Sequence, residues 1–363
     1  MKAMVLNEIC EIKVEERSLK KSDIRIKGVP VKTEPLKLTN LPVPKPEAKD
    51  IVIKIHACGV CRTELDQIEG RIEPPKLPVI LGHQPVGIVA NIGPEVKSFK
   101  IGDRVGATWI YHSCGKCKFC LNGEENLCGQ FKGTGCHVNG GYAEFMAISE
   151  DYAHKIPDEL KDLNLTAPLM CSGVIGYRSL RLTGMKDGKI LGLYGFGSAH
   201  HLVLQMANYE FPNSKKFVIT RNVLERQLAK KLGADWAGDI EDSPPEKLDC
   251  AIDTTPVWKP VIYALKNLEK GGRLVINLIR KEETDKDFLL KINYPQHLWL
   301  EKEIKTVANV TRKDGEDFLA LAAKMQIKPE IHAFKLGEAN RALIELKSGK
   351  STGSKILIID SDN

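Results

Sequence analysis

The chain has 363 residues, of which 42% are apolar and 28% are charged. This balance is typical of a globular protein of about two domains, and it excludes a disordered chain. The net charge of +6 is too small an excess to indicate a nucleic-acid partner. The sequence has no apolar run long enough to span a membrane, and residues 1–13 carry charges where a secretory signal has its apolar core. We therefore expect a cytoplasmic protein with neither a membrane nor a nucleic-acid partner.

The first half of the chain is rich in glycine, in proline and in short apolar runs. Residues 51–55, 85–92 and 142–148 form runs of β-branched and aromatic residues, and glycine-containing turn signals separate them. We predict an all-β, barrel-like domain here. The lysine-rich segment 18–35 is predicted to be an extra hairpin or a surface loop.

Four of the 10 cysteines lie close together in this half and form the pattern C-x2-C-x2-C-x7-C. They are Cys114, Cys117, Cys120 and Cys128. Such tight spacing lets one loop surround a tetrahedral zinc ion, and four thiolates leave no open position, as in structural sites. An iron–sulfur cluster uses similar ligands, although the last gap is long for one. Four free surface cysteines are the alternative without a metal.

A second group of possible metal ligands is more dispersed. Cys58 and Cys61 form a pair, and His83 follows 22 residues after Cys61. One cysteine, a distant histidine and a third ligand would hold zinc with an open fourth position, which is the catalytic arrangement. A histidine after a glycine is more often a turn residue, so these residues alone leave the site undecided.

From about residue 165 onward, apolar strands alternate with amphipathic helices. Strands are predicted at 189–193, 216–220, 250–253, 273–278 and 304–310, with helices at 223–232 and 261–268. Strands that alternate with helices indicate crossover units and a parallel sheet. A helix at 315–324 and a last strand at 355–359 follow, and that strand is expected to return to the first domain.

The turn after the first of these strands is rich in small residues. Its residues are Gly195, Phe196, Gly197, Ser198 and Ala199. A G-x-G turn between a strand and a helix is typical of a dinucleotide-binding site. The third glycine of that motif is missing, and Ala199 or His200 stands in its region. A plain strand–helix turn is the alternative.

Six motifs follow one another in order along nearly the whole chain. They are Cys58–Glu64, Gly82–Gln84, Val96–Val105, Cys114–Cys128, Gly140–Glu144 and Ala167–Cys171. In their order and residues they resemble the zinc-dependent alcohol dehydrogenases of the medium-chain dehydrogenase/reductase superfamily. The resemblance implies an α/β chain with a GroES-like, β-rich catalytic domain at 1–171 and 311–363. It also implies a doubly wound, parallel-sheet (Rossmann) nucleotide-binding domain at 172–310.

The resemblance implies two zinc ions per chain. Cys61, His83 and Cys171 would hold the catalytic zinc. The four clustered cysteines, Cys114, Cys117, Cys120 and Cys128, would hold the structural zinc. The remaining cysteines, Cys10, Cys58, Cys136 and Cys250, are expected to be non-ligands.

Further roles are implied position by position. Thr63 would take the proton of the substrate alcohol, Glu64 would orient His83, and Trp109 would narrow the substrate pocket. Arg62 would contact the pyrophosphate of the cofactor.

Three positions depart from the family pattern. Gln84 replaces a glutamate beside the zinc, and Asp66 stands where some members place a relay histidine. The acid that binds the ribose of NAD at the end of the second nucleotide-domain strand is replaced by Thr220, Arg221 and Asn222. Arg221 and Arg226 could together bind a 2′-phosphate, so NADP is slightly preferred over NAD. NAD, with Arg221 stacked on the adenine, is the alternative.

The expected function is the interconversion of small primary alcohols and aldehydes by a homotetramer or a homodimer. An NADP-dependent aldehyde reductase or a polyol dehydrogenase of the same superfamily is the nearer alternative. Polyol members often use glutamate as the third ligand and often lack the four-cysteine loop. This chain has Cys171 at the third-ligand position and all four cysteines of the loop. A zinc-stabilised nucleic-acid-binding protein is the remote alternative, since few basic and aromatic residues surround the four cysteines.

Overall fold

The structure is a computed structural model that describes residues 1–14, 30–349 and 353–359. The chain divides into two compact units, one formed by Met1–Cys171 with the segment from Val310 onward, and the other by Ser172–Asn309. Residues 18–29 of the lysine-rich segment lie outside the described residues, so the predicted hairpin or loop is not described there. At the end of that segment, a short strand at Val31–Lys32 pairs in parallel with Glu11–Ile12.

The first unit is built mainly of strands. In chain order up to Cys171 they are β1 (Lys2–Leu6), β2 (Glu11–Ile12), β3 (Val31–Lys32), β4 (Leu36–Asn40), β5 (Asp50–Val60), β6 (Val79–Ile80), β7 (Pro85–Ile92), β8 (Arg104–Ala107), β9 (Ile110–His112), β10 (Lys132–Gly133), β11 (Phe145–Ser149) and β12 (Ala153–Lys155). Between them lie three short helices, α1 (Arg62–Ile68), α2 (Lys118–Leu121) and α3 (Leu163–Thr166). The long strand β5 is buried along most of its length and forms the centre of the sheet.

The strand predicted at 142–148 begins only at Phe145. Residues 140–142 instead bond to the segment before His83, with the N–H of Gly141 2.7 Å from the carbonyl of Gly82. The phenol ring of Tyr142 lies against Gly82, whose φ of +94° places it in a conformation that favours glycine. These contacts support the turn that carries His83.

The second unit contains six strands that form one sheet. They are β13 (Ile190–Tyr194), β14 (Lys215–Ile219), β15 (Trp236–Gly238), β16 (Leu248–Asp253), β17 (Leu268–Ile276) and β18 (Glu303–Thr306). The order is β15-β14-β13-β16-β17-β18, and every neighbouring pair is parallel. The predicted doubly wound parallel sheet is confirmed. The strand order reverses between β13 and β16, and the carboxyl ends at such a switch point form the usual ligand crevice.

Helices precede or connect the strands of this sheet, and the last of these helices is short. They are α4 (Ser172–Leu182), α5 (His200–Glu210), α6 (Val223–Lys231), α7 (Lys259–Asn267) and α8 (Tyr294–His297). The strand predicted at 304–310 ends at Thr306, and Asn309 has a φ of +61°, which an extended strand does not accept.

The chain then returns to the first unit. It forms α9 (Arg312–Met325), β19 (Ile331–Lys335), α10 (Ala339–Ser348) and β20 (Ser354–Ile358). β20 pairs antiparallel with β5, so the last strand does return to the first sheet as predicted. Among the described residues, no helix is both long enough and apolar enough to cross a bilayer.

Candidate functional site

Three ligand-type side chains meet in the first unit. The ligand atoms of Cys61, His83 and Cys171 all lie within 4.8 Å of one another. Cys61 follows the last residue of β5 and caps α1, and His83 lies in the turn before β7. Cys171 follows a 3-10 turn at Ala167–Met170. Three distant parts of the sequence thus deliver one cluster.

Glu64 fixes the orientation of the histidine in this cluster. Its Oε1 lies 2.5 Å from Nδ1 of His83, and its Oε2 accepts a hydrogen bond of 2.8 Å from the N–H of Cys61. Because Nδ1 is bonded to the carboxylate, Nε2 is left to face the cluster, and it lies 3.2 Å from Sγ of Cys171. This is the arrangement in which a carboxylate holds a metal-binding histidine.

The charges of the cluster favour a bound cation. The hydrogen bond from Cys171 holds the pKa of the Cys61 thiol well below its usual range, while the same bond and burial raise that of Cys171. Burial opposes a charged His83, but Glu64 and Cys61 outweigh it and raise the pKa of the ring to about 10. Buried negative charge therefore attracts a proton here, and a metal ion can take the place of that proton.

The donor set fits zinc. Two thiol sulfurs and one imidazole nitrogen are ligands that zinc prefers, and three protein ligands leave a position for a substrate. The three residues would hold the ion as the resemblance implies.

Two further residues predicted for this site lie beside the cluster. Oγ1 of Thr63 is 3.7 Å from Sγ of Cys61, so its hydroxyl is close to the ligands. The Trp109 ring is buried and meets the His83 ring edge-on, with 5.1 Å between the ring centres. The indole also lies against Gly133, where an added Cβ would come within 2.8 Å of Cε2.

Three more residues predicted for the site come from the same segments as Cys61 and His83. Gln84 is buried with its side chain against Gly59, where an added Cβ would lie 2.3 Å from Oε1. Oδ1 of Asp66 is 2.5 Å from Nε of Arg71, so this acid forms an ion pair. Arg62 is exposed at the first residue of α1.

The four clustered cysteines form a second group whose sulfur atoms lie within 4.8 Å of one another. Sγ of Cys117 is 3.6 Å from that of Cys120, and Sγ of Cys114 is 3.9 Å from it. Backbone N–H groups of Lys116 and Cys117 point at the Cys114 sulfur and lower its pKa to about 6. Four closely spaced sulfurs with a thiolate stabilised in this way fit a closed zinc site formed with Cys128. Cys10, Cys58, Cys136 and Cys250 lie in neither group and are buried.

Distant segments hold this cysteine loop in place. The hydroxyl of Tyr152 accepts a bond of 2.8 Å from the N–H of Ser113, the residue before Cys114, and donates one of 3.0 Å to its carbonyl. Within the loop, Oε1 of the buried Glu125 accepts bonds from the N–H of Arg312, at 2.9 Å, and from its Nε, at 3.2 Å. The guanidinium group of Arg312 also lies over the Tyr152 ring.

In the second unit, the glycine turn lies at the carboxyl end of β13. Gly195 has a φ of +82°, Gly197 is exposed, and Phe196 is buried. Oγ of Ser198 is 2.7 Å from Oγ of Ser172, and Ala199 is the residue before α5. The turn therefore joins a strand at the switch point to a helix, as a dinucleotide-binding turn does.

The end of β14 places the other predicted cofactor residues. Arg221 is exposed, while Nη1 of Arg226 bonds to the carbonyl of Thr220, at 2.7 Å, and to Asp239, at 3.3 Å. Arg226 is therefore already engaged and supports the end of the strand. Oγ1 of Thr220 donates to Glu225 with a distance of 2.5 Å.

Sequence reasoning missed three features of these sites. Glu225 supplies an acid near the end of β14, although it comes five residues after Thr220 and from α6. Nδ1 of His200 lies 2.6 Å from the carbonyl of Gly195, so the residue in the region of the missing glycine supports the turn. Gly133 has no side chain, so the sequence gives no indication that this residue lies against Trp109.

Comparison with known proteins identifies the family. Residues 47–158 match the alcohol dehydrogenase GroES-like domain. The chain is 41% identical to a probable alcohol dehydrogenase AdhA of Mycobacterium tuberculosis over 335 residues, which cover 91% of this chain and 94% of that protein. It is 34% identical to an alcohol dehydrogenase of Geobacillus stearothermophilus, over 90% of this chain and 96% of the relative. In fold it is similar to the CAD of Helicobacter pylori, solved in complex with NADP(H), with a TM-score of 0.80, 22% identity and complete coverage of both chains. With two metal-type clusters in its GroES-like unit and a parallel sheet in the other, the chain belongs to the zinc-type alcohol dehydrogenases of the medium-chain superfamily.

Proposed function

We propose that this alcohol dehydrogenase is zinc-dependent and interconverts small primary alcohols and aldehydes with a nicotinamide cofactor. The observation that carries the proposal is the cluster of Cys61, His83 and Cys171, whose ligand atoms lie within 4.8 Å of one another. Thr63 and Trp109 beside the cluster supply a hydroxyl and an aromatic wall.

The residues of the site have separate tasks in the reaction. Zinc held by Cys61, His83 and Cys171 would supply Lewis acidity that lowers the pKa of an alcohol hydroxyl, and a bound nicotinamide cofactor would supply the hydride acceptor. Glu64 holds the ring of His83 through Nδ1, so the ligand nitrogen keeps its direction. The Thr63 hydroxyl would take the proton of the alcohol while giving its own proton to water, so that the residue stays neutral; its Oγ1 is a neutral oxygen beside the ligands. The buried Trp109 ring limits the width of the substrate.

The Trp109 wall, the third ligand and the four-cysteine loop favour small alcohols over polyols as substrates. The indole of Trp109 occupies space that a branched substrate would need, and it cannot hydrogen-bond several hydroxyls. The third ligand is Cys171, and the four-cysteine loop is intact. A second zinc at Cys114, Cys117, Cys120 and Cys128 would stabilise that loop. Because thiolate ligands need a reducing compartment, the proposed location is the cytoplasm.

The cofactor is proposed to be NADP in preference to NAD. Arg221 is exposed next to the end of β14, and its guanidinium group can form paired bonds with a phosphate. Arg226 does not add a second free guanidinium, because it already bonds to Thr220 and Asp239. Glu225 is the residue that favours NAD, since an acid can bind the ribose hydroxyls.

The proposed assembly is a homodimer or a homotetramer built on the free edge of the second sheet. All four residues of the edge strand β18 are exposed. Large apolar residues are exposed on the same strand and on the segment before it: Leu290, Tyr294, Trp299, Leu300 and Ile304. An exposed apolar edge strand is a template for pairing with a second copy.

Initial rates for a series of primary alcohols with NAD and NADP, together with zinc analysis, test the function. We expect two zinc ions per chain and the highest rates with short alcohols. Cys61→Ser should lose activity and one zinc ion. Cys58→Ala, at a buried thiol three residues earlier, should keep its activity and both zinc ions. Active protein with one zinc or none would contradict the proposal.

Replacement of Arg221 by alanine tests the cofactor separately. The variant should lose at least about tenfold in affinity for NADPH, because one charge-assisted contact to a phosphate is worth roughly 1.5–3 kcal/mol. NADH affinity should stay within about twofold, a change of less than 0.5 kcal/mol. An equal loss for both cofactors would refute the phosphate-binding role of Arg221.

A further inference from the structure

A buried ion pair joins two loops at the carboxyl edge of the second sheet. Lys281, in the segment after β17, places its ammonium against the carboxylate of Asp253, the last residue of β16. The Lys281 side chain is only 8% exposed and that of Asp253 is fully buried. Nζ also donates to the carbonyls of Thr255, at 2.7 Å, and of Val257, at 2.9 Å. Three acceptors thus match the three donors of the ammonium group.

The carboxylate of this pair shapes the loop that follows β16. Oδ1 of Asp253 accepts bonds from the N–H of Thr255, at 3.0 Å, and from its Oγ1, at 2.7 Å. Lys281 therefore bonds to residues 253, 255 and 257 of this loop, and Asp253 bonds to residue 255. A buried charge pair needs such complete bonding, because each charge has lost its water.

This loop lies directly against the glycine turn. The N–H of Thr254 donates to the carbonyl of Tyr194, at 3.1 Å, and Oγ1 of Thr254 is 3.4 Å from Nδ1 of His200. A Cβ added to Gly195 would lie 3.1 Å from Cγ2 of Thr255 and 3.2 Å from Oγ1 of Thr254. The loop forms one wall of the turn.

His200 also bonds to the turn. Its Nδ1 must carry the proton, because the carbonyl of Gly195 at 2.6 Å can only accept. The histidine and the loop therefore contact the same glycine.

We propose that Lys281 and His200 are positioning residues for the dinucleotide. Lys281 acts through Asp253 and the loop 253–257, and His200 acts through its bond to Gly195. Together they fix the shape of the turn that receives the pyrophosphate, and neither needs to touch the cofactor. The inference rests on the proposed use of a nicotinamide cofactor.

The test is a fluorescence titration of the zinc-loaded enzyme with NADH and with NADPH. Lys281→Met should raise the dissociation constants of both cofactors at least tenfold, and the Michaelis constant for the cofactor should rise more than that for the alcohol. Lys281→Arg should restore part of the affinity, because it keeps a positive charge beside Asp253 although the guanidinium group has a different shape from the ammonium group. Lys215→Met is the control, since it removes the lysine of an exposed ion pair with Glu246 in the same unit.

Two outcomes separate this inference from the proposed function. If the wild type binds neither cofactor, both fail. If the wild type binds and a folded Lys281→Met variant binds equally well, only the positioning role fails. Should Lys281→Met not fold, the double variant Asp253→Asn with Lys281→Met removes both charges, and wild-type affinity in that variant would overturn the inference. His200→Phe, which keeps the ring volume but not the bond to Gly195, should also weaken both cofactors.

Discussion

Gly133 controls the position of the indole that narrows the proposed pocket. An alanine Cβ there would lie 2.8 Å from Cε2 of Trp109 and 3.0 Å from Nε1, so the ring must move away. We expect Gly133→Ala to displace this wall and so to change the preferred chain length of the alcohol. Trp109→Ala should shift that preference toward longer alcohols, with each extra methylene of substrate gaining about 0.8 kcal/mol, or roughly fourfold in kcat/KM.

The measurement is kcat/KM across a series of straight-chain primary alcohols. Gly129→Ala is the matched control, because nothing lies within 4 Å of a Cβ added at that glycine. An unchanged chain-length profile in both Gly133→Ala and Trp109→Ala would show that this indole is not a pocket wall.

His154 should make the first unit sensitive to acid. It is buried, its two ring nitrogens have no hydrogen-bond partner, and burial with the nearby Arg312 lowers its pKa from 6.5 to about 4. The unfolded chain therefore binds the proton more readily, and stability is lost as the pH falls from about 6.5 to about 4. Between pH 7 and pH 5 this one histidine should cost about 2 kcal/mol of unfolding free energy.

Denaturant unfolding of His154→Leu at the two pH values tests this sign. Between pH 7 and pH 5, the free energy of unfolding of the variant should rise by about 2 kcal/mol relative to that of the wild type. His332→Leu replaces an exposed histidine on β19 and is the control. A difference between variant and wild type that does not change with pH would refute the assignment.

The two clusters of possible metal ligands could be predicted from the sequence, because metal chemistry limits which side chains bind and because their motifs follow a known order. Gly133 and His200 could not be predicted in the same way. Gly133 acts through the space that it leaves for Trp109, and His200 acts through a bond to the carbonyl of Gly195. Both effects depend on tertiary contacts that no local pattern records.

At the scale of elements, the cysteine loop depends on a helix far along the chain. Arg312 at the start of α9 neutralises the buried Glu125 of the loop. Arg312→Met would leave that carboxylate without its cation, at a cost of about 1–2 kcal/mol after allowance for the half-exposed arginine. We expect the loop to open more often and to release its zinc several-fold faster to a chelator.

The zinc release rate of the purified enzyme is the quantity to measure. Lys313→Met is the control, because it alters the neighbouring residue and removes the cation of the pair with Asp317 while leaving the pair between Arg312 and Glu125 in place. Equal release rates from Arg312→Met and Lys313→Met would show that the ion pair with Glu125 does not hold the loop.

The bounds of some elements differ from their predictions for local reasons. The helix predicted from residue 315 begins at Arg312, because Thr311 and Asp314 form a capping box that the spacing T-x-x-D already contains. The strand predicted to reach Val310 ends at Thr306. Asn309, three residues later, has a φ of +61°, which an extended strand does not accept. The first signal was readable in the sequence, whereas the second depends on how the chain leaves the sheet.

At the scale of the whole molecule, β18 is the place where two copies should meet. Ile304 at its centre and Trp299 before it are both exposed. We expect Ile304→Glu with Trp299→Glu to shift the protein toward the monomer in sedimentation experiments, because pairing would bury four uncompensated carboxylates at a twofold interface. Ile101→Glu, at an exposed apolar residue of the first unit, is the control. An unchanged sedimentation coefficient would place the interface elsewhere.

The return of the chain to its first sheet has a consequence for biosynthesis. β20 completes one edge of β5 by pairing with residues 57–60, directly before Cys61, yet it follows the whole second unit in sequence and leaves the ribosome after it. The second unit is continuous in sequence from Ser172 to Asn309, so it can fold while the first still waits for its closing strand. The nascent chain can therefore complete its second unit first, and the open edge of β5 is the segment that a chaperone would have to protect until β20 has emerged.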